Sequence, residues 1–149
     1  DRSRWVTSEI AEGLSLVAQA PQLGPVGQYW LQAAIAAEHL APSSADARDW
    51  TRIAEFHERL VAHTGASPVA SLNHAIAVSM SEGPEAALVL LDALADRLAG
   101  YGPYHGARAD CLARAGRPDQ AREAYDRAIA TPHDEPVRRS LRQSREKLA

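Results

Sequence analysis

The chain has 149 residues, a formal net charge of −3 and a single cysteine, Cys111. That length supports one domain with a continuous core that needs no metal or disulfide staple. One thiol excludes an intrachain disulfide and suits a reducing compartment, while the slightly acidic balance offers no field to attract DNA or RNA. The longest strongly apolar run, Ala86 to Leu91, is too short to cross a bilayer. A soluble, cytoplasmic protein is therefore expected, with no membrane contact and no direct nucleic-acid contact. The opening "DRSR" and the placement of the only methionine, Met80, deep inside the chain lead to the expectation of a fragment of a longer polypeptide.

Only 5% of residues are aromatic, Ala and Leu are abundant, and Gly and Pro gather at a few points, so the chain reads as all-α with about eight helices. A first helix over 3–19 carries Trp5, Ile10, Leu14 and Val17 and is stopped by "APQLGP". The second spans 26–40 and ends at "APSSADA" (41–47). The third, 48–63, has Asp49 as an N-cap. The fourth spans 67–81, and the fifth, 84–98, starts on Pro84, at the first-turn position that tolerates a missing N–H. After "AGYGP" come the sixth, 103–115, and the seventh, 118–130, which starts on Pro118. An eighth, 135–148, is capped by Asp134.

These helices repeat. Ala75, Pro84, Ala87, Leu91 and Leu94 map onto Ala109, Pro118, Ala121, Tyr125 and Ala128, each 34 residues on. A 34-residue unit of two helices with small residues at their contact is the tetratricopeptide-repeat (TPR) signature. The unit from Tyr104 to Ala130 carries it best, with Gly116 at the turn, although Arg108 and His105 replace the preferred leucine and tryptophan. Ile53, His57 and Leu60 map onto Ala87, Leu91 and Leu94 at the same period. "LQAAIAA" (Leu31 to Ala37) and "LNHAIAV" (Leu72 to Val78) stand 41 apart, which places seven extra residues in the loop around 41–47. The expected architecture is a TPR-like right-handed superhelix in one domain over 1–149. It has antiparallel helix pairs over 26–63, 67–98 and 103–130, and a terminal cap over 135–148. The cap turns Val137, Leu141, Ser144 and Leu148 inward and Arg138, Arg139, Arg142, Arg145 and Lys147 outward.

Catalytic and metal chemistry find little support. In "HERLVAH" the two histidines, His57 and His63, lie six residues apart, about 240° around a helix, whereas zincin ligands need an i, i+4 pair on one face. The same angle separates His105 from Cys111, and nothing supplies an oxyanion hole or lowers the thiol pKa. A non-enzyme without cofactor or metal is expected.

Repeat arrays work through surface. The first helix of each pair lines the concave side, which marks Gln28, Leu31, Ile35, Glu38 and His39, then Val69, Leu72, Asn73, Ile76, Ser79 and Met80, then Gly106, Asp110 and Arg114 as candidate partner contacts. A charged clamp for a peptide carboxylate needs a row of Lys, Arg and Asn, and only Asn73 and Arg114 stand there. An apolar concave face calls for a cover: the first helix, another domain, or tight packing that leaves no groove.

The segments "DRSRW…IAEGLSL", "GQYWLQAAIAAEH", "PVASLNHAIAV", "EGPEAALVLLDAL" and "YHGARADCLARAGRPDQAREAYDRAIA" together resemble the C-terminal extension of bacterial extracytoplasmic-function (ECF) RNA polymerase sigma factors that carry a TPR-like domain. The most specific tracts are Gly27 to His39 and the "PxxxLNxAIA" pattern from Pro68. Members often have a basic residue where His74 stands and an aromatic one where His57 stands. In that family the polymerase-binding and promoter-reading domains precede this region. The resemblance implies a non-catalytic regulatory domain whose partners are the N-terminal sigma domains of the same polypeptide or RNA polymerase. The alternative is a general TPR adaptor that binds a peptide of an unrelated protein.

Overall fold

The computed structural model describes residues 6–40, 48–132 and 134–148, and among them the protein is all-α. The eight helices are α1 (Thr7–Gln19), α2 (Gln28–Leu40), α3 (Trp50–His63), α4 (Pro68–Ser81), α5 (Pro84–Asp92), α6 (Gly102–Arg114), α7 (Pro118–Ala130) and α8 (Glu135–Glu146), with a 3-10 turn at Ala20–Gln22 after α1. The expected seven-residue insertion at 41–47 and the expected helix start at residues 3–5 lie outside the described residues.

The helix ends obey local chemistry. Asp49 accepts the Arg52 amide at 3.0 Å and Asp134 accepts the Val137 amide at 3.3 Å, so both N-caps read from the sequence are made. Proline occupies the first turn of α4, α5, α6, α7 and α8, where its missing N–H costs nothing. The end of α6 is a Schellman turn: the Gly116 amide donates to the Ala113 carbonyl and the Arg117 amide to the Leu112 carbonyl, with Gly116 at φ 71°.

One helix is shorter than expected. After Asp92 the ladder tightens, the Leu94 amide donating to Leu91 and the Ala95 amide to Asp92 in i→i+3 bonds, so 93–100 form successive turns in place of α-helix. Leu94 and Leu98 still enter the core from these turns.

Packing is sequential. Every helix lies against its neighbours along the chain, and α4 also touches α6, the helix two places on. The larger core cluster runs from Ile53 on α3 through Leu72, Leu88, Leu91 and Leu112 to Tyr125 on α7. A smaller one joins Leu31, Ala34 and Ile35 of α2 to Phe56 and Leu60 of α3, with Trp30 and Val17 against it. There the Trp30 ring meets Phe56 edge-on at 5.6 Å, and its indole N–H donates to the Val17 carbonyl at 2.9 Å, tying α1 to α2.

The 34-residue spacing recurs in burial. Ala75 and Ala109 are both 0% exposed, as are Ala87 and Ala121, while Leu91 and Tyr125, Leu94 and Ala128, and Leu60 and Leu94 are buried pairs. The half-buried His57 is the exception, standing where the next copy has the buried Leu91. Alanine at these points leaves no room for a longer side chain.

The cap is held less by burial than expected. No residue of α8 is fully buried, Leu141, Ser144 and Leu148 are half-buried, and Val137 is exposed. Ion pairing does the rest: Arg145 grips Asp126 of α7 with bonds of 2.5 and 3.0 Å, and Arg122 of α7 donates to the Leu148 carbonyl.

Replacing Ala121 by Leu is expected to cost about 1–3 kcal/mol through overpacking. Thermal unfolding would register a lower Tm. An unchanged Tm would mean that the α6–α7 contact is looser than a solvent-excluded alanine implies.

Candidate partner-binding surface

The residues marked by the sequence divide into three groups. Leu31, Ile35 and Leu72 are buried in the core clusters of α2 and α4, and of the three Ile35 also reaches a groove lining. Gln28, Glu38 and His39 are half-buried: Glu38 pairs with Arg52 of α3 at 3.1 Å, and the His39 ring meets Trp50 edge-on at 5.7 Å. Asn73, Ile76, Met80, Asp110 and Arg114 are exposed.

On α4 the exposed side chains form one stripe, Val69, Asn73, Ile76 and Met80, because steps of four, three and four residues return to the same helical face. Its apolar members are substantially open, Ile76 at 38% and Met80 at 46%. Arg114 closes the far end of this stripe. It donates to the Ser79 carbonyl at 2.6 Å and the Ser79 hydroxyl at 3.3 Å, contacts the Met80 sulfur, and lies 3.6 Å from Asp110. The Ser79 carbonyl is one of the last four of α4, so the guanidinium caps that helix and straps α6 to it. It is engaged within the array and not held out as a free anion clamp.

Beside the stripe, a groove of about 350 Å³ runs between α2, α3 and α4, lined by Ile35, His39, Trp50, Ile53, His57, Asn73, Ile76 and Ala77. Its walls are mainly apolar with one amide and two imidazoles, which suits an apolar side chain followed by a backbone or side-chain polar group. His57 has a buried Nδ1 with no hydrogen-bond partner. Burial, followed by the proximity of His74 and His39, lowers its pKa to about 4, so the ring is neutral at neutral pH. Burial first, then Arg48, also lowers His39. Sequence spacing set His63 apart from His57, and it lies at the end of α3 against the Arg59 carbonyl. The neighbours that matter, His39 and His74, come from the flanking helices, and nothing short of the helix pairing could have indicated them.

No helix among the described residues is long and apolar enough to cross a membrane, and no three His, Cys, Asp or Glu side chains among them converge as metal ligands. The buried His105 is bound to the Ala99 carbonyl at 2.7 Å. The buried Cys111 thiol is raised in pKa by burial, then by Asp110, the reverse of nucleophile activation.

The first helix contributes no residue to the groove between α2, α3 and α4. It packs on α2, and between them opens a second trough of about 470 Å³ whose lining includes Val6, Ile10, Leu14, Ala33, Ala36 and Leu40. Of the covers considered from the sequence, the first helix is therefore not the one over the α2–α4 groove; Trp5 lies outside the described residues. Val17 alone of the three joins a core cluster.

By fold and surface the chain is an all-α array of sequentially packed, repeat-like helices with an exposed apolar stripe. No protein-family model matches it, and no solved structure does. An uncharacterized protein of Rhizobium meliloti (strain 1021) is 43% identical over 130 residues, covering 87% of this chain. The chain spans 30% of the length of that relative.

The His57 environment predicts acid sensitivity. The unfolded chain takes up a proton near pH 6.5 and the folded chain only near 4, so stability is lost as pH falls through that window. A His57→Leu variant removes this uptake and should show a shallower fall of Tm between those pH values than the parent protein; parallel curves would refute the assignment.

Proposed function

We propose that this chain is a non-catalytic protein-interaction domain that regulates a bacterial ECF sigma factor. It acts in the cytoplasm, by contacts with the N-terminal sigma domains of the same polypeptide or with RNA polymerase. Its helix pairs are read as a TPR-like right-handed superhelix, and the α4 stripe with the adjoining groove as the contact surface.

The observation that carries this reading is the coincidence of period and burial. Positions 34 residues apart share solvent exclusion, as Ala75 and Ala109 or Ala87 and Ala121 do, and α4 touches α6, the corresponding helix of the next pair. That is how stacked two-helix repeats transmit packing from one unit to the next. The exposed Val69, Ile76 and Met80 are then the part of the stripe left for a partner. The sigma-factor assignment rests on the sequence resemblance from Gly27 to His39 and from Pro68 onward. The relative's greater length suits a region that is one part of a larger protein.

Deleting this region from the full-length factor should change promoter-dependent transcription, and Ile76→Asp together with Met80→Asp should reproduce much of that change. Both side chains are exposed, so folding stability should move by no more than about 0.5 kcal/mol each. Transcription indifferent to the deletion would remove the regulatory reading. A deletion effect that the double variant does not share would move the contact away from α4.

A further inference from the structure

The trough between α1 and α2 lies at one end of the array and has its own chemistry. Its floor is aliphatic, from Ile10, Leu14, Ala33, Ala36 and Leu40, with Glu9 on the rim. No described side chain of α1 is fully buried, although Val6, Ile10 and Leu14 make an apolar stripe along it. In a sequentially stacked array such a face is where the next helix belongs, since each interior helix has one on either side.

Glu9 is the one charged side chain among its described lining residues. Residues 6–40 contain Glu9, Glu12 and Glu38 and neither Lys nor Arg. Arg52 of α3 takes Glu38 at 3.1 Å. Glu9 and Glu12 are exposed and have no ion partner among the described residues. The C-terminal end of α2, at Leu40, adds the negative pole of its helix dipole to the same rim.

We infer that this trough receives a basic amphipathic helix, aliphatic along one face and edged with Lys or Arg, supplied by another part of the same longer polypeptide. The inference rests on the reading of this chain as one domain of a larger protein. The stacking pattern asks for a helix, the floor for small aliphatic contacts, and Glu9 with the carbonyl end of α2 for a cation at the rim. A second copy fits poorly. Trough against trough sets Glu9 against Glu9, and the exposed residues of α8 offer one large apolar side chain, Val137, beside Arg139, Arg142 and Gln143, too little to fill the floor.

An Ala36→Cys variant reads occupancy directly, because Ala36 is exposed on the lining of the trough and the native Cys111 is buried. Labelling of the introduced thiol should be at least about tenfold slower in the complete polypeptide than in the 149-residue chain. The slowing should not depend on protein concentration. Glu9→Lys should restore most of the rate, and Glu9→Gln should restore part of it, with helical circular dichroism verifying each fold. Equal rates in the two proteins would overturn the inference, as would indifference to charge reversal. Slow labelling in the 149-residue chain alone would place a segment of this chain in the trough, and concentration-dependent protection would place a second molecule there; either result overturns the intramolecular assignment. Transcription that depends on the domain while the introduced thiol labels freely would remove the docking helix and leave the regulatory reading. A protected thiol with transcription indifferent to the domain would do the reverse.

Discussion

The array depends on the close approach of helices at four alanines with no solvent exposure, Ala75, Ala87, Ala109 and Ala121. A helix pair can approach this closely only if the side chains between the backbones are short, and the gain is dispersion contact spread over many atoms. Larger residues complete the same cluster: Leu72, Leu91 and Leu112 are all but solvent-excluded. The recurrence of buried alanine at a spacing of 34 residues is the trace of this packing in the sequence.

Because each helix meets mainly its chain neighbours, coupling along the array passes through few links. The contact of α4 with α6 is one, and Arg114 strengthens it by holding the carbonyl end of α4 from the end of α6. The arginine joins two adjacent units at the border of the exposed stripe, where a partner would sit. A ligand that touched Met80 would therefore also touch the strap, and its binding would be felt by both units.

The elements were legible in the sequence because they are marked by local chemistry. Pro84, Pro118, Asp49 and Asp134 announce helix starts, and those starts are where the structure has them. The end of α5 was not legible: "LADRLAG" has the composition of a continuing helix, and only the switch to i→i+3 bonds ends it. The surface was half legible. Steps of three and four residues gave the α4 stripe, but the same steps on α2 select Leu31 and Ile35, which packing against Phe56 and Leu60 consumes. Periodicity finds the face of a helix that is apolar; which apolar faces are covered depends on how neighbouring helices turn.

The two ends of the array differ in how they meet water, and this bears on what each can do. Residues 104–149 carry ten Lys or Arg against seven Asp or Glu, whereas residues 1–103 carry six against twelve. At the C-terminal end, α8 turns exposed cations outward and fastens itself through Arg145 to Asp126, which finishes the stack with a polar surface. At the other end, α1 and α2 leave an aliphatic floor with Glu9 as the one charged residue of its described lining. A stack with one polar end and one apolar end has a direction, and the inference of a helix docked at α1 rests on that difference. The exposed stripe on α4, Val69, Asn73, Ile76 and Met80, differs from that trough in carrying no carboxylate.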